Sequence, residues 1–382
     1  MKPGLPVVYF TVFLDLVGFG LILPQLPYYA ERFGATGVWV GAILTAYSAA
    51  QLMGASLLGR LSDRVGRRPV LLMSLAGSAA SFLVSGLAGS LWLLLVARAL
   101  AGLFGGSIAA AQAVIADVTT PGERARYMGL LGASIGLGFV FGPALGSGLA
   151  RFGFGAAAFT AAGLAAANLL FAFLRLPETR SSEQRQHAHS HLDWSNLLDA
   201  LHHPSIGRLL AATFLSTLAF VAMEATFALL GEARLGLDAG RLGLVFAYVG
   251  VVMVIVQGAL VGRLAKRFGE RALATVGALL MAASLGALPL TPSLGTALGV
   301  LAGLAIGQGL TTPMLATLLS RATDADEQGG TLGLGQSFAA AARAVGPIGA
   351  GWLYDRAVGA PYVASAAVMV LAAVLVGTAR TD

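Results

Sequence analysis

Twelve apolar segments, each close to twenty residues or longer, follow one another along this chain, at about 5–29, 38–58, 69–88, 91–116, 127–149, 156–175, 207–230, 241–262, 272–291, 295–319, 331–353 and 360–379. About twenty residues of α-helix cross the roughly 30 Å hydrocarbon core of a bilayer, so each segment is long enough to span. In hydrocarbon a backbone must satisfy its own N–H and C=O groups, which a helix does internally. The expectation is therefore an all-α membrane protein of twelve spans. Composition agrees: of 382 residues, 57% are hydrophobic and 11% charged, against about 25% charged in soluble domains. This excludes an ordinary soluble enzyme, a disordered chain and a disulfide-rich secreted domain. With no cysteine, disulfides, thiol catalysis and Cys-ligated metal centres are excluded as well.

The net charge of +6 reflects the membrane rather than nucleic acid. With the N-terminus inside, 17 of the 24 Lys and Arg residues fall in inner loops and tails. Five (Arg32, Arg151, Arg234, Arg241 and Arg356) fall outside, and Arg98 and Arg343 lie within spans. Positive loops stay in the cytoplasm, so both termini are expected there, in a multi-pass inner or plasma membrane protein. No cleavable signal peptide is expected: Met1–Pro6 has one Lys, and the first span is too long for one and carries Asp15. The polar stretch 176–206 divides the spans six and six, which gives an N-terminal bundle over 1–175, a cytoplasmic linker and a C-terminal bundle over 207–382. The linker holds His187, His189, His191, His202 and His203. No carboxylate framework accompanies them, so it reads as a flexible connection with no metal site, and no cofactor is expected.

The halves repeat at an offset of about 203 residues. Gly59-Arg60-Leu61-Ser62-Asp63-Arg64-Val65-Gly66-Arg67-Arg68 follows the second span, and Gly262-Arg263-Leu264-Ala265-Lys266-Arg267-Phe268-Gly269-Glu270-Arg271 follows the eighth. Gly142-Pro143 in the fifth span matches Gly346-Pro347 in the eleventh. Six-helix repeats related along the membrane normal are the architecture of secondary transporters with a midplane site.

The segment from Gly59 to Pro69 resembles the loop signature of the major facilitator superfamily. The resemblance implies a gating latch near the cytoplasmic helix ends, with Gly59 and Gly66 allowing a tight reversal, Asp63 facing Arg64, Arg67 and Arg68, and Asp117 as a further acidic partner. In the second copy Lys266 replaces the acid, so the latch is one-sided. Span 5 carries Gly138, Gly142, Pro143 and Gly146 and resembles the antiporter signature of the drug:proton branch, with Ser147 in place of a closing glycine. The run Asp15 to Pro27 is similar to the span 1 signature of twelve-span drug:proton antiporters, including tetracycline efflux proteins. Arg98, Gly102 and Gly106 resemble the span 4 motif associated with proton coupling. Leu176-Pro177-Glu178-Thr179-Arg180 resembles the motif that follows span 6. Span 3 departs from the tetracycline efflux pattern: it has no acid, with Ser81 and Phe82 in that place.

Asp15, Arg98, Glu224 and Arg343 are the ionisable residues inside spans. Each costs about 2.5–3.5 kcal/mol at a helix centre, which implies a wet cavity or mutual pairing. A carboxyl whose surroundings change between desolvation and a nearby Arg can take up and release a proton. Asp15 or Glu224 is therefore the expected proton carrier, biased by Arg98, with Arg343 the matching base of the second half. Gln25, Gln51, Gln112, Gln257, Gln308 and Gln336, with Phe139, Phe220 and Tyr248, are substrate-binding candidates, although hydrogen bonding between helices is the more common role for such a glutamine and packing or a lipid-facing place suits the aromatics equally.

No Walker-type loop and no His within a span appear, which disfavours ATP-driven transport and membrane hydrolysis. The expected function is proton-coupled export of amphipathic drugs or related small molecules by alternating access. The chain would act as a monomer in the lipid bilayer, binding a small molecule and protons and no nucleic acid. The alternatives are transport of a sugar, amino acid or other metabolite on the same fold, or a non-transporting receptor or assembly partner.

Overall fold

The computed structural model describes residues 4–178, 204–323 and 328–379; the histidines of the linker lie outside these. The described residues form twelve helical spans and contain no strand. In the first half these are α1 (Leu5–Ile22), α2 (Gly37–Val65), α3 (Arg67–Gly86), α4 (Leu91–Val118), α5 (Pro121–Ala150) and α6 (Phe154–Arg175). In the second half they are α7 (Pro204–Leu235), α8 (Ala239–Phe268), α9 (Glu270–Leu290), α10 (Leu294–Arg321), α11 (Gln328–Arg356) and α12 (Ala360–Thr378). Eleven are long and apolar enough to cross a membrane. α11 has the length, but Gln336, Ser337, Arg343 and its glycines dilute its hydropathy.

Several expected boundaries are corrected. The first span is not continuous to residue 29: α1 stops at Ile22, and a short helix, Leu26–Glu31, follows a turn. Pro24 lacks the N–H that would continue the ladder. The expected loop from Gly59 to Arg68 is mostly helix, because α2 runs on to Val65. Gly66 alone makes the reversal, at φ +109°, a conformation that other residues adopt only at a cost. The second copy repeats this device, with α8 running to Phe268 and Gly269 turning at φ +80°. α4 breaks at Phe104–Gly106 into Leu91–Leu103 and Ser107–Val118. α8 contains a π-helical turn, Val256–Leu260, which includes Gln257.

The described residues divide into two compact units, 4–35, 46–178 and 238–248 in one, and 36–45, 204–237 and 249–379 in the other. In the first, Leu5, Val8, Val12 and Leu16 of α1 pack with Leu71 and Leu75 of α3 and with Ala111, Val114 and Ile115 of α4. Small residues bring backbones together: a Cβ on Gly102 would lie 2.0 Å from the Tyr47 carbonyl oxygen. In the second unit α9 and α10 meet the same way, Gly277 against the Gly307 carbonyl. Here too residues 36–45 are fastened, since the Asp355 carboxylate accepts from the N–H of Gly37 (2.7 Å) and of Val38 (2.9 Å).

Candidate functional site

Asp15 sits in the middle of α1, and its carboxylate accepts a hydrogen bond from the Ser107 hydroxyl at 2.5 Å. Ser78 of α3 contributes a second hydroxyl. The break in α4 places Ser107 at the start of its second half, where its side chain reaches across to α1. Among the described residues no cation lies within 4 Å of this carboxylate. Two hydroxyls solvate the acid in place of an ion pair.

Arg98, on the first half of α4, is 1% exposed. None of its three side-chain nitrogens has a hydrogen-bond partner among the described residues. The guanidinium lies over the rings of Tyr47 (4.5 Å) and Phe19 (5.2 Å). Each desolvated cation–π contact is worth up to about 2 kcal/mol, which offsets much of the cost of a buried charge. Phe19 is one helical turn from Asp15 on α1, so the acid and the ring that covers Arg98 occupy the same helix face. Gln51 Nε2 donates to the Tyr47 hydroxyl (3.1 Å) and to the Gly105 carbonyl (3.2 Å), which steadies that ring.

The motif at the ends of α2 and α3 assembles around Arg67. Its Nη1 donates to Asp63 Oδ1 (2.9 Å) and to the Ser62 hydroxyl (3.1 Å), and its Nε donates to Asp117 Oδ2 (2.9 Å). Arg68 reaches the Phe173 carbonyl (2.7 Å) and lies over the Phe173 ring. Gly59 is helical with open space beside it, and Arg64 is exposed. Sequence reasoning missed Glu178: its carboxylate accepts from the N–H groups of Arg67 (3.0 Å) and Arg68 (3.3 Å). It satisfies the free N-terminal donors of α3 and complements the helix dipole. The residue was visible in the motif after α6, but nothing in its spacing pointed 111 positions back along the chain.

The glycines of α5 form a seam against α1. A Cβ on Gly138 would meet Leu16, one on Gly142 would lie 2.7 Å from Gly20 Cα, and one on Gly146 would lie 2.6 Å from the Leu21 carbonyl oxygen. Pro143 lies within this helix, against Gly20. Gln25 is committed to the same seam: its buried amide donates to the carbonyls of Leu21 (3.1 Å) and Gly146 (3.0 Å). Gln112, Phe139 and Tyr248 are exposed on the first unit, with Phe139 edge-on to Phe19 at 6.2 Å.

In the second unit Glu224 of α7 is half-buried, with Arg343 of α11 as its charged neighbour. Phe220 lies one turn before Glu224 and is half-buried. Gln257 and Gln336 are exposed, and Gln308 is half-buried with its Oε1 unpartnered among the described residues. The structure thus places Asp15 and Arg98 on α1 and α4 of the first unit, gathers the Arg67 cluster at the ends of α2 and α3, and sets Glu224 beside Arg343 in the second unit. Among the described residues no cluster of His, Asp and Glu has metal-binding geometry.

A chain of repeated spans, a helix-end arginine cluster and intramembrane charges defines a secondary transporter. The sequence matches the Major Facilitator Superfamily over residues 8–347 and 235–382, and the chain belongs to that family. Among its relatives, the class G tetracycline resistance protein of Vibrio anguillarum is 34% identical, over 94% of this chain and 92% of the relative. The class C tetracycline resistance protein of Escherichia coli is 33% identical, over 84% of this chain and 81% of the relative. The crystal structure of the human organic anion transporter MFSD10 superposes with a TM-score of 0.73 at 27% identity, over 98% of both chains.

Proposed function

We propose that this protein is a proton-coupled exporter of amphipathic small molecules, an antiporter working by alternating access in a cell inner or plasma membrane, with both termini in the cytoplasm. In this reading residues 1–175 and 207–382 act as two bundles and the chain works as a monomer. The observation that carries the reading is the pair of uncompensated charges in one bundle. Asp15 is solvated by hydroxyls and Arg98 by aromatic faces, so neither charge is neutralised by the other in this state. A carboxyl that can lose its hydroxyl partners, or gain a guanidinium, changes its proton affinity as the protein moves. A locked ion pair would not offer that. Glu224 and Arg343 form the corresponding acid and base of the second half. The Arg67 cluster acts as the latch, with Glu178 fixing the helix end that bears it. The tetracycline resistance relatives support drugs as the substrate class.

Reconstitution into liposomes with an imposed pH gradient tests this reading, with tetracycline as the first probe. Wild type accumulates the drug only under the gradient. Asp15→Asn or Glu224→Gln removes the dependence on the gradient, and whichever does so identifies the carrier. Gradient-driven transport unchanged in both variants rejects proton coupling through these acids. A second reading, export of organic anions, draws on Arg98, whose guanidinium has no anionic partner among the described residues. Competition between tetracycline and an aromatic carboxylate, lost in Arg98→Gln, distinguishes it.

A further inference from the structure

A partly open cavity of about 40 Å³ lies in the first unit, walled by α2, α3 and α4. At one end it is lined by Ser62 and Arg67, members of the helix-end cluster; at the other it reaches Gly106, and Ala109 and Ala113 line its side. Ser74 borders the Gly106 end: its hydroxyl is 3.4 Å from where a Cβ on Gly106 would sit. Ser74 is 1% exposed, and its hydroxyl has no hydrogen-bond partner among the described residues. The two residues at this inner end are each one step from Asp15. Ser107 follows Gly106 and donates to the carboxylate, and Ser78, one turn beyond Ser74 on α3, faces the same carboxylate.

We infer that this cavity is a water-filled proton passage, running within the bundle from the Arg67 latch to Asp15. The inference rests on the reading of Asp15 as a proton carrier. Each water needs roughly 10–15 Å³ of such volume and two or more polar partners. By that measure the cavity has room for about three; Ser62 and Arg67 are the polar side chains of its lining, and the Ser74 hydroxyl lies just beyond Gly106. The Asp15 carboxyl gives up its proton, becoming carboxylate. The proton passes to the Ser107 hydroxyl as that hydroxyl gives its own proton to a water beyond Gly106, which carries it as hydronium past Ser74 to the Arg67 end; Ser107 is left donating to the carboxylate. Uptake runs the same steps in reverse. Because Arg67 stands at the mouth, rearranging the latch alters proton access to Asp15 directly, with no requirement for bound substrate.

Two measurements test the passage. The chain has no cysteine, so single cysteines report without background. Ag⁺, a water-sized thiol probe, is applied from the cytoplasmic side, and remaining thiols are counted with maleimide after denaturation. Ser74→Cys is protected, and Ser85→Cys, buried farther along the same helix, is not. Equal inertness of the two overturns the passage. The second measurement follows deuterium exchange of the Asp15 carboxyl by its infrared band, assigned by its loss in Asp15→Asn. Ala113→Leu, or Ala109→Leu should the first not fold, narrows the cavity and slows exchange roughly a hundredfold, the low end of what positioned proton transfer contributes. A band that exchanges at the wild-type rate in the plugged variant overturns the passage alone. A wild type with no Asp15 band at any pH overturns the carrier reading and the passage with it.

Discussion

Arg67 carries more polar contacts than any other side chain described above, and its environment dictates what its loss would do. Two carboxylates, Asp63 and Asp117, converge on it at 2.9 Å each. Arg67→Ala leaves them facing each other without their shared cation. Breaking a fully buried pair costs about 3–5 kcal/mol; with the Asp63 side chain 32% exposed, about 2 kcal/mol is expected here. The measurement is the unfolding temperature in detergent, which falls in Arg67→Ala and recovers only partly in Arg67→Lys, since an ammonium cannot present the guanidinium's planar set of donors. Arg98 differs in kind. Its stabilisation comes from two ring faces, so Tyr47→Leu weakens folding while Tyr47→Phe preserves the stack. At this scale the charged residues were legible, because a charge in a span is costly enough to demand a role. Their partners were not: Ser107 meets Asp15 from 92 positions away, and a serine in an apolar helix carries no mark of what it faces.

Among the elements, α5 separates glycines that pack from glycines that do not. Gly138, Gly142 and Gly146 recur every four residues on one face, and that face is pressed on α1. Gly132 and Gly148 meet nothing within 4 Å. Gly142→Val therefore forces α1 and α5 apart and costs about 1–3 kcal/mol, the usual range for overpacking. Gly132→Ala is neutral or stabilising by up to about 1 kcal/mol, the difference in helix propensity. Thermal unfolding of the two variants in one detergent checks the contrast. At the turns, Gly66→Ala and Gly269→Ala are both destabilising, because both backbones hold positive φ. The sequence repeat matched these glycines to each other, but it misplaced the reversal. The motif reads as a loop, whereas helix continues through Val65 because nothing before Gly66 breaks the ladder.

For the whole molecule, the charge asymmetry between loops makes an orientation that labelling can check. A cysteine at Ala35 or Gly153 reacts with an impermeant maleimide in intact cells, and one at Arg60 or Lys266 reacts only after the cells are opened. The reverse pattern overturns the cytoplasmic placement of the termini. Span number, helical class and family were determined by sequence alone, because length, hydropathy and the cost of charge in hydrocarbon act along the chain and need no knowledge of distant neighbours. Only the tertiary structure decided that Asp15 rests on serines, that Arg98 lies over two rings, that Glu178 caps α3, and that Gly37 and Val38 fasten to Asp355. Hydrogen bonds and ring contacts form at 3–5 Å, and which residues come that close is set by how helices pack, which no local pattern encodes.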